Sequence, residues 1–435
     1  MKVIYRFLLI LYLIVGTIPN LESLDKVVTQ WFYLNTLNTI SLLFLLIKGY
    51  PLKSFFYNRV TILFFFLFIW SSLTVFFAIN KIESVVVLSQ LFAIVTGFII
   101  ISVCISEINK PFDFISNVIS IYLILELTAI YMPFLNFDNA RAQIFNRSSL
   151  FLGFAANVNI TAFSILYKIP FFLYSVLQLK KFKITSIFIA FIIFTSIVFA
   201  SGTLNSTRGA ILTYTSLVPI LIIISSVVYF KSKKLRLLII TLTYSLSVLF
   251  SFSFNSYLSN TLGRGESNIT NRISTLKSLG SGENEDQSLN QRKNFYSQAA
   301  TYIMSNPFFG TGIGNWKIKS IDLDKENITG YTVPYHVHND YLEIGSEIGL
   351  VGLGIYVFIL IISFYKTLAN FFKILFTRIK LNKNYLKWTS ISLFIYIFLI
   401  DSNINFPFHR PIVLINLIVL IAYLNLNNKK VSNEK

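Results

Sequence analysis

Imidazole and carboxylate side chains crowd one stretch of this chain, Tyr335-His336-Val337-His338-Asn339-Asp340-Tyr341-Leu342-Glu343-Ile344-Gly345-Ser346-Glu347. Two of the protein's three histidines lie in it. Histidine is the side chain that takes or gives a proton near neutral pH. Asp340 followed by Glu343 reads as a capping box, which predicts a short polar helix starting at about Asn339 or Asp340. Gly349 and Gly352 break or tighten the path before the apolar run at 353–364. The histidines are therefore expected at a helix N-terminus on a membrane surface, where the partial positive charge favours an anion.

Arginines supply the second kind of chemistry, the binding of a phosphate-like anion through a forked, permanently charged group. Arg208 falls at the outer end of an apolar run, where a cation is costly and usually functional; interfacial snorkelling is the plainer alternative. Arg292 sits on a segment that reads as helix from 291 to 304, where a solvated face is as good a reading. Arg410, held between Pro407 and Pro411 in a short turn beside His409, is the stronger candidate, whereas Arg141, Arg147, Arg264 and Arg272 cannot be ranked. A zinc site from His336, His338 and His409 is conceivable, although no acidic ligand is clearly placed beside them. Glu126 and Asp401 are carboxylates within apolar runs, and Lys168 is a candidate partner for Glu126.

The elements that must position these groups are membrane helices. The chain of 435 residues is 54% hydrophobic and only 13% charged, about half the charged fraction of a soluble protein. Apolar runs predict twelve spans, at 3–18, 27–47, 60–79, 85–105, 112–135, 150–177, 184–200, 209–230, 237–254, 350–365, 388–405 and 412–424. With both termini in the cytoplasm, clusters such as Lys180, Lys181 and Lys183 or Lys231, Lys233, Lys234 and Arg236 all face inward, as the positive-inside rule requires. The net charge of +18 then belongs to anionic lipid and topology. No basic, aromatic-interleaved soluble domain exists for nucleic acid. The single Cys104 excludes an intramolecular disulfide and a cysteine metal cluster, and the first apolar run lacks the small-residue pattern of a cleavable signal peptide.

Three parts follow from that layout: 1–254 with nine transmembrane helices, 255–349 as an outward, periplasmic loop carrying the histidine motif, and 350–435 with three more helices and a cytoplasmic tail. Within the loop, Gly310-Thr311-Gly312-Ile313-Gly314-Asn315 has the look of a phosphate-binding glycine loop. It follows no strand, so a tight turn is the better reading. The sequons at Asn146, Asn205, Asn268 and Asn327 are chance occurrences in so Asn-rich a chain.

One ordered set of motifs carries a resemblance. It comprises Asn205-Ser206-Thr207-Arg208-Gly209-Ala210, Arg292, Asn306-Pro307-Phe308-Phe309-Gly310-Thr311-Gly312-Ile313-Gly314-Asn315, His338-Asn339-Asp340-Tyr341-Leu342, Glu347-Ile348-Gly349-Leu350-Val351-Gly352 and Asn405-Phe406-Pro407-Phe408-His409-Arg410-Pro411. Together they resemble the O-antigen ligase and polymerase superfamily of bacterial inner membranes. The resemblance implies an all-α polytopic, GT-C-like fold and transfer of a glycan from undecaprenyl diphosphate on the periplasmic side. The acceptor it implies is lipid A-core or a similar glycan, with inversion and without metal, cofactor or nucleotide. It implies that His338 is the essential residue, that Arg208, Arg292 and Arg410 engage the diphosphate, and that His336, Asn339, Asp340 and Glu347 support them, Glu347 by orienting a basic residue. His409 departs from the pattern, which frequently has an acidic residue there.

Such a transfer needs a base for the acceptor hydroxyl and charge stabilisation for the departing diphosphate, the roles suited to histidine and arginine. A polymerase of the same superfamily would use similar residues. A solute transporter is the alternative of another class, but no two-fold repeat of hydropathy is visible and the long loop bearing His and Arg is unusual for one.

Overall fold

The computed structural model describes residues 2–19, 26–135, 150–155, 157–205, 207–262, 287–325, 335–376 and 384–432. Arg141, Arg147, Arg264 and Arg272 lie outside them, as do the sequons at Asn146, Asn268 and Asn327. Among the described residues, each of the twelve apolar runs contains helix, and no strand occurs. Nine helices among the described residues are long and apolar enough to cross a bilayer by length and composition. The chain is thus a polytopic all-α membrane protein. The other three of the twelve expected spans form helices too: Lys2–Leu13 and Pro411–Ser432 are short or carry a polar end, and Tyr385–Ile404 contains Lys387 and Asp401.

The chain divides into two compact units. The first comprises Met1–Asn109, Glu285–Tyr365 and Asp401–Lys435. Its helices are α1 (Lys2–Leu13), α2 (Lys26–Ile47), α3 (Arg59–Thr74) and α4 (Lys81–Glu107), with α15 (Pro411–Ser432) packed on α4. The start of α4 is fixed by Asn80, whose side chain accepts from the backbone N–H groups of Ile82 and Glu83, a standard N-cap. Its middle, from Leu91 to Ile105, is almost continuously buried, because α1, α2, α3 and α15 all pack against it.

The second unit comprises Lys110–Asn284 and Lys366–Ile400. It contains α5 (Pro111–Tyr131), α6 (Val158–Leu166), α7 (Ile169–Leu177), α8 (Ile184–Val198), α9 (Arg208–Ser232) and α10 (Leu235–Leu262). The expected span at 150–177 is corrected here in two ways. Helix begins only at Val158, after Asn157 caps the Asn159 N–H at 2.8 Å, and it breaks at Tyr167–Lys168. Pro170 explains the break, since it has no N–H to give to a carbonyl one turn back. At the break Lys168 meets Glu126, Nζ to Oε2 at 2.7 Å, with both side chains fully buried. Ser164 Oγ donates to the other Glu126 oxygen, and Lys168 donates to the Ser164 carbonyl and hydroxyl, each at 2.8 Å. The partnership suggested by the sequence is therefore real.

Four helices complete the list: α11 (Gln287–Ser305), α12 (Trp316–Leu323), α13 (Asp340–Phe376) and α14 (Tyr385–Ile404). Helix α11 covers the expected 291–304 and stops before Asn306-Pro307. Helix α13 is interrupted at Ile348 and Gly349, the latter at φ 70°. Only glycine fits there: a Cβ would lie 1.9 Å from the Phe308 carbonyl oxygen. The break lets Leu350 N–H reach the Pro307 carbonyl at 2.7 Å.

Candidate active site

The stretch 306–316 is built as a clamp rather than a phosphate cradle. Phe309 stacks on Trp70 and Phe77, with centroids 5.3 and 4.1 Å away. The Ile313 N–H donates to Thr74 Oγ1, and Asn315 exchanges hydrogen bonds with Asn80 and Ser84 at the start of α4. Two further N–H groups, those of Gly314 and Trp316, donate to the two carboxylate oxygens of Glu347 at 2.9 and 3.2 Å. The amides that a phosphate would need are thereby taken, which supports the tight turn. Glu347 holds this loop, whereas the resemblance had it orienting a basic residue.

One turn earlier on α13, Glu343 is the hub of the histidine cluster. Its Oε1 meets His336 Nδ1 at 2.7 Å and His409 Nε2 at 3.2 Å, and its Oε2 accepts from Val337 N–H at 3.0 Å. The capping box is corrected accordingly. Asn339 is the N-cap, accepting from Leu342 N–H at 3.0 Å. Asp340 is fully buried, with Oδ2 accepting from Phe408 N–H at 3.2 Å. Glu343 reaches past the cap to Val337.

Burial pulls the His409 imidazole down, but Glu343 first, then Glu347 and Asp340, outweigh it and raise it to about 9. His409 is therefore an imidazolium at neutral pH. Burial lowers His336 despite the opposing pull of Glu343, so this ring is neutral. His338 is pushed down to about 4 by burial, then by Arg292 and His336. All three act against a second positive charge.

His338 stands just outside this hub. Its backbone is left-handed at φ 60°, its carbonyl accepts from Tyr296 Oη at 2.9 Å, and its Nδ1 is buried without a hydrogen-bond partner. Because Asn339 does the capping, His338 is spared that task. Phe406 is the plate between the rings: His336 stacks on it at 4.0 Å, His338 meets it edge-on at 5.2 Å, and the Arg410 guanidinium lies 4.7 Å from its centroid. Arg292, on α11, donates Nη1 to the Ile404 carbonyl at 3.1 Å, and Asn339 Nδ2 donates to Asn403 at 3.3 Å.

His336, His338, Asn339, Asp340, Glu347, Arg292 and Arg410 thus gather in the first unit with His409. Asp401 lies in that unit too and accepts from Asn405 Nδ2 at 2.7 Å. Arg208 belongs to the second unit, as the first residue of α9 directly after a π-helical turn at Phe199–Leu204. A cation at that end of a helix opposes the helix dipole.

Three contributors were missed in the sequence: Tyr296, Phe406, and Glu343 as a ligand of two imidazoles. The Asn405–Pro411 motif was the available signal for Phe406. A small cavity of about 30 Å³ adjoins Glu347 and His409, walled by Trp31, Leu67, Ile94 and Tyr356.

Residues 189–357 match the family model described as O-antigen ligase. That stretch takes in Arg208, Arg292, His338 and Glu347, and the match is consistent with the O-antigen ligase superfamily. A comparison with curated proteins finds no match. The class so defined is a polytopic all-α membrane protein, part of which is similar to the O-antigen ligase family.

Proposed function

We propose that this protein moves a glycan from undecaprenyl diphosphate to lipid A-core or a similar acceptor on the periplasmic face of the inner membrane, with both termini in the cytoplasm. The observation that carries the reading is His338, which has an unpartnered ring nitrogen, no capping duty, and the Arg292 charge beside it within the stretch that matches the O-antigen ligase family. In the transfer, the acceptor hydroxyl oxygen forms a bond to the anomeric carbon, and its proton passes to the His338 imidazole. The bond from that carbon to the diphosphate oxygen breaks, its electron pair leaving with the diphosphate, so the anomeric centre inverts. Diphosphate is a good enough leaving group to need no general acid. Arg292 and Arg410 stabilise the charge that develops on it, and the resemblance of the sequence gives Arg208 the same role. The position of Arg208 at a helix start supports an anionic partner there.

The test is a transfer assay on purified protein in EDTA, offering either lipid A-core or a second lipid-linked glycan. Transfer to lipid A-core that disappears in His338→Ala supports the ligase reading. Extension of the lipid-linked glycan assigns the polymerase instead. No transfer to either acceptor, with His338-dependent solute uptake in vesicles, replaces both by a transporter.

A further inference from the structure

The three side chains joined by Glu343 have a composition and spacing that the proposed transfer does not use. His336 Nδ1, His409 Nε2 and one oxygen of Glu343 all lie within 4.8 Å of one another. Two imidazoles and a carboxylate are the donor set of three-ligand zinc sites, which leave a fourth position for water. Tetrahedral zinc, about 2.0–2.2 Å from each ligand, needs ligand atoms roughly 3.3 Å apart. The two Glu343 distances, 2.7 and 3.2 Å, both fall short of that value by little enough for side-chain rotation to open the set around an ion. Nitrogen donors select a transition metal over calcium or magnesium, which prefer all-oxygen shells.

The ligands are also positioned without help from a metal. His336 is stacked on Phe406, 14° from parallel. The second oxygen of Glu343 is held by Val337 N–H. The turn bearing His409 is tied to α13 through Phe408 N–H and Asp340, the supporting contacts that fix a metal ligand's orientation. His336 and His409 keep 25% and 18% of their side chains exposed, so an ion can reach them, while Glu343 keeps 2%.

We propose that His336, Glu343 and His409 bind one divalent transition-metal ion, of which zinc is the type. The ion pins the turn at 407–409 to the segment at 335–343 and takes no part in the transfer. On binding, the neutral His336 ring keeps its proton on Nε2 and ligates through Nδ1, while the charged His409 ring gives up its Nε2 proton to solvent. The site goes beyond the glycosyl-transfer reading and does not depend on it, because metal binding is read without any substrate.

The experiment uses the full chain with a tag free of histidine, purified in detergent, stripped with EDTA and titrated with zinc chloride by calorimetry, with bound zinc counted by mass spectrometry. One equivalent of zinc is expected, with a rise in melting temperature. Loss of a supporting contact costs about 10–100-fold in metal affinity, so His409→Ala and His336→Ala should each weaken binding by at least about 10²-fold. His409→Asp, which restores an oxygen ligand, should recover part of it, and this guards against a variant that merely misfolds. Less than a tenth of an equivalent of zinc, or equal binding by the parent and all three variants, overturns the site. Failure of the transfer reading would instead appear only in the transfer assay.

Discussion

Glu347 separates two accounts of the glycine-rich stretch. In the structure its carboxylate accepts from Gly314 N–H at 2.9 Å and Trp316 N–H at 3.2 Å. Hydrogen bonds to a charged group contribute about 1.5–3 kcal/mol each, and a stranded buried N–H costs a similar amount. Glu347→Ala should therefore destabilise the closed loop by about 3–5 kcal/mol, and Glu347→Gln, which keeps one acceptor oxygen, by about half of that. At about 1.4 kcal/mol per tenfold, the alanine variant opens the loop at least about 10²-fold more often. Lys317 and Lys319, just beyond it, are trypsin sites. Where opening is fast relative to cleavage, the rate reports the open population. Trypsin should cut the alanine variant at Lys317 about 10²-fold faster than the parent, with the glutamine variant between. An alanine variant cut no faster than the parent refutes the clamp and returns Glu347 to the orienting role that the sequence suggested.

Five further outcomes are expected. His338→Ala should abolish transfer at normal membrane abundance, with His336→Ala doing less harm. Because His338 is held down at about 4, its ring stays neutral until the pH falls to that value. In EDTA, kcat/KM should stay level from about pH 7 to about 5 and fall about tenfold per unit below 4; an acid limb near 6.5 contradicts this. Arg208→Ala and Arg292→Ala should each lose about 10²–10³ in transfer rate, with lysine rescuing only part, and full activity in Arg208→Ala would leave it a snorkelling cation. Lys168→Met should lower stability by about 3–5 kcal/mol by stranding Glu126, with the Lys168→Met, Glu126→Leu double variant recovering it, as read by thermal denaturation in detergent. In a Cys104→Ala background, a membrane-impermeant thiol reagent should label Ser281→Cys but not Lys373→Cys in outer-membrane-permeabilised cells, and the reverse labelling inverts the topology.

What the sequence disclosed, and what it concealed, follows from the range of each interaction. Apolar runs report helices directly, since burying backbone in lipid demands them, and α11 and the interruption at Gly349 were legible from neighbours in sequence. The late start of α6 was not, because the residues at 150–157 are apolar enough to extend the run although Gly153 turns at φ 53°. Pro170 was a visible breaker, overlooked because proline is tolerated in membrane helices. Within the site, the residue types were plain and their partners were not. Glu343 meets His409 across 66 positions, and Glu347 meets backbone N–H groups more than 30 positions away. Such pairings leave no periodic trace. A backbone partner leaves no trace of any kind, which is why Glu347 was assigned to a side chain.

The Lys168–Glu126 pair also constrains how the chain enters its membrane. Glu126 lies in α5 and leaves the ribosome before Lys168, which arrives only after the whole of α6. A lone carboxylate in the bilayer is expensive, and no cation stands beside it until the break at Tyr167–Lys168 follows. The neutral pairing that keeps Glu126 away from water is therefore complete only after α6 has been made. The pair fixes an order of assembly as well as a contact.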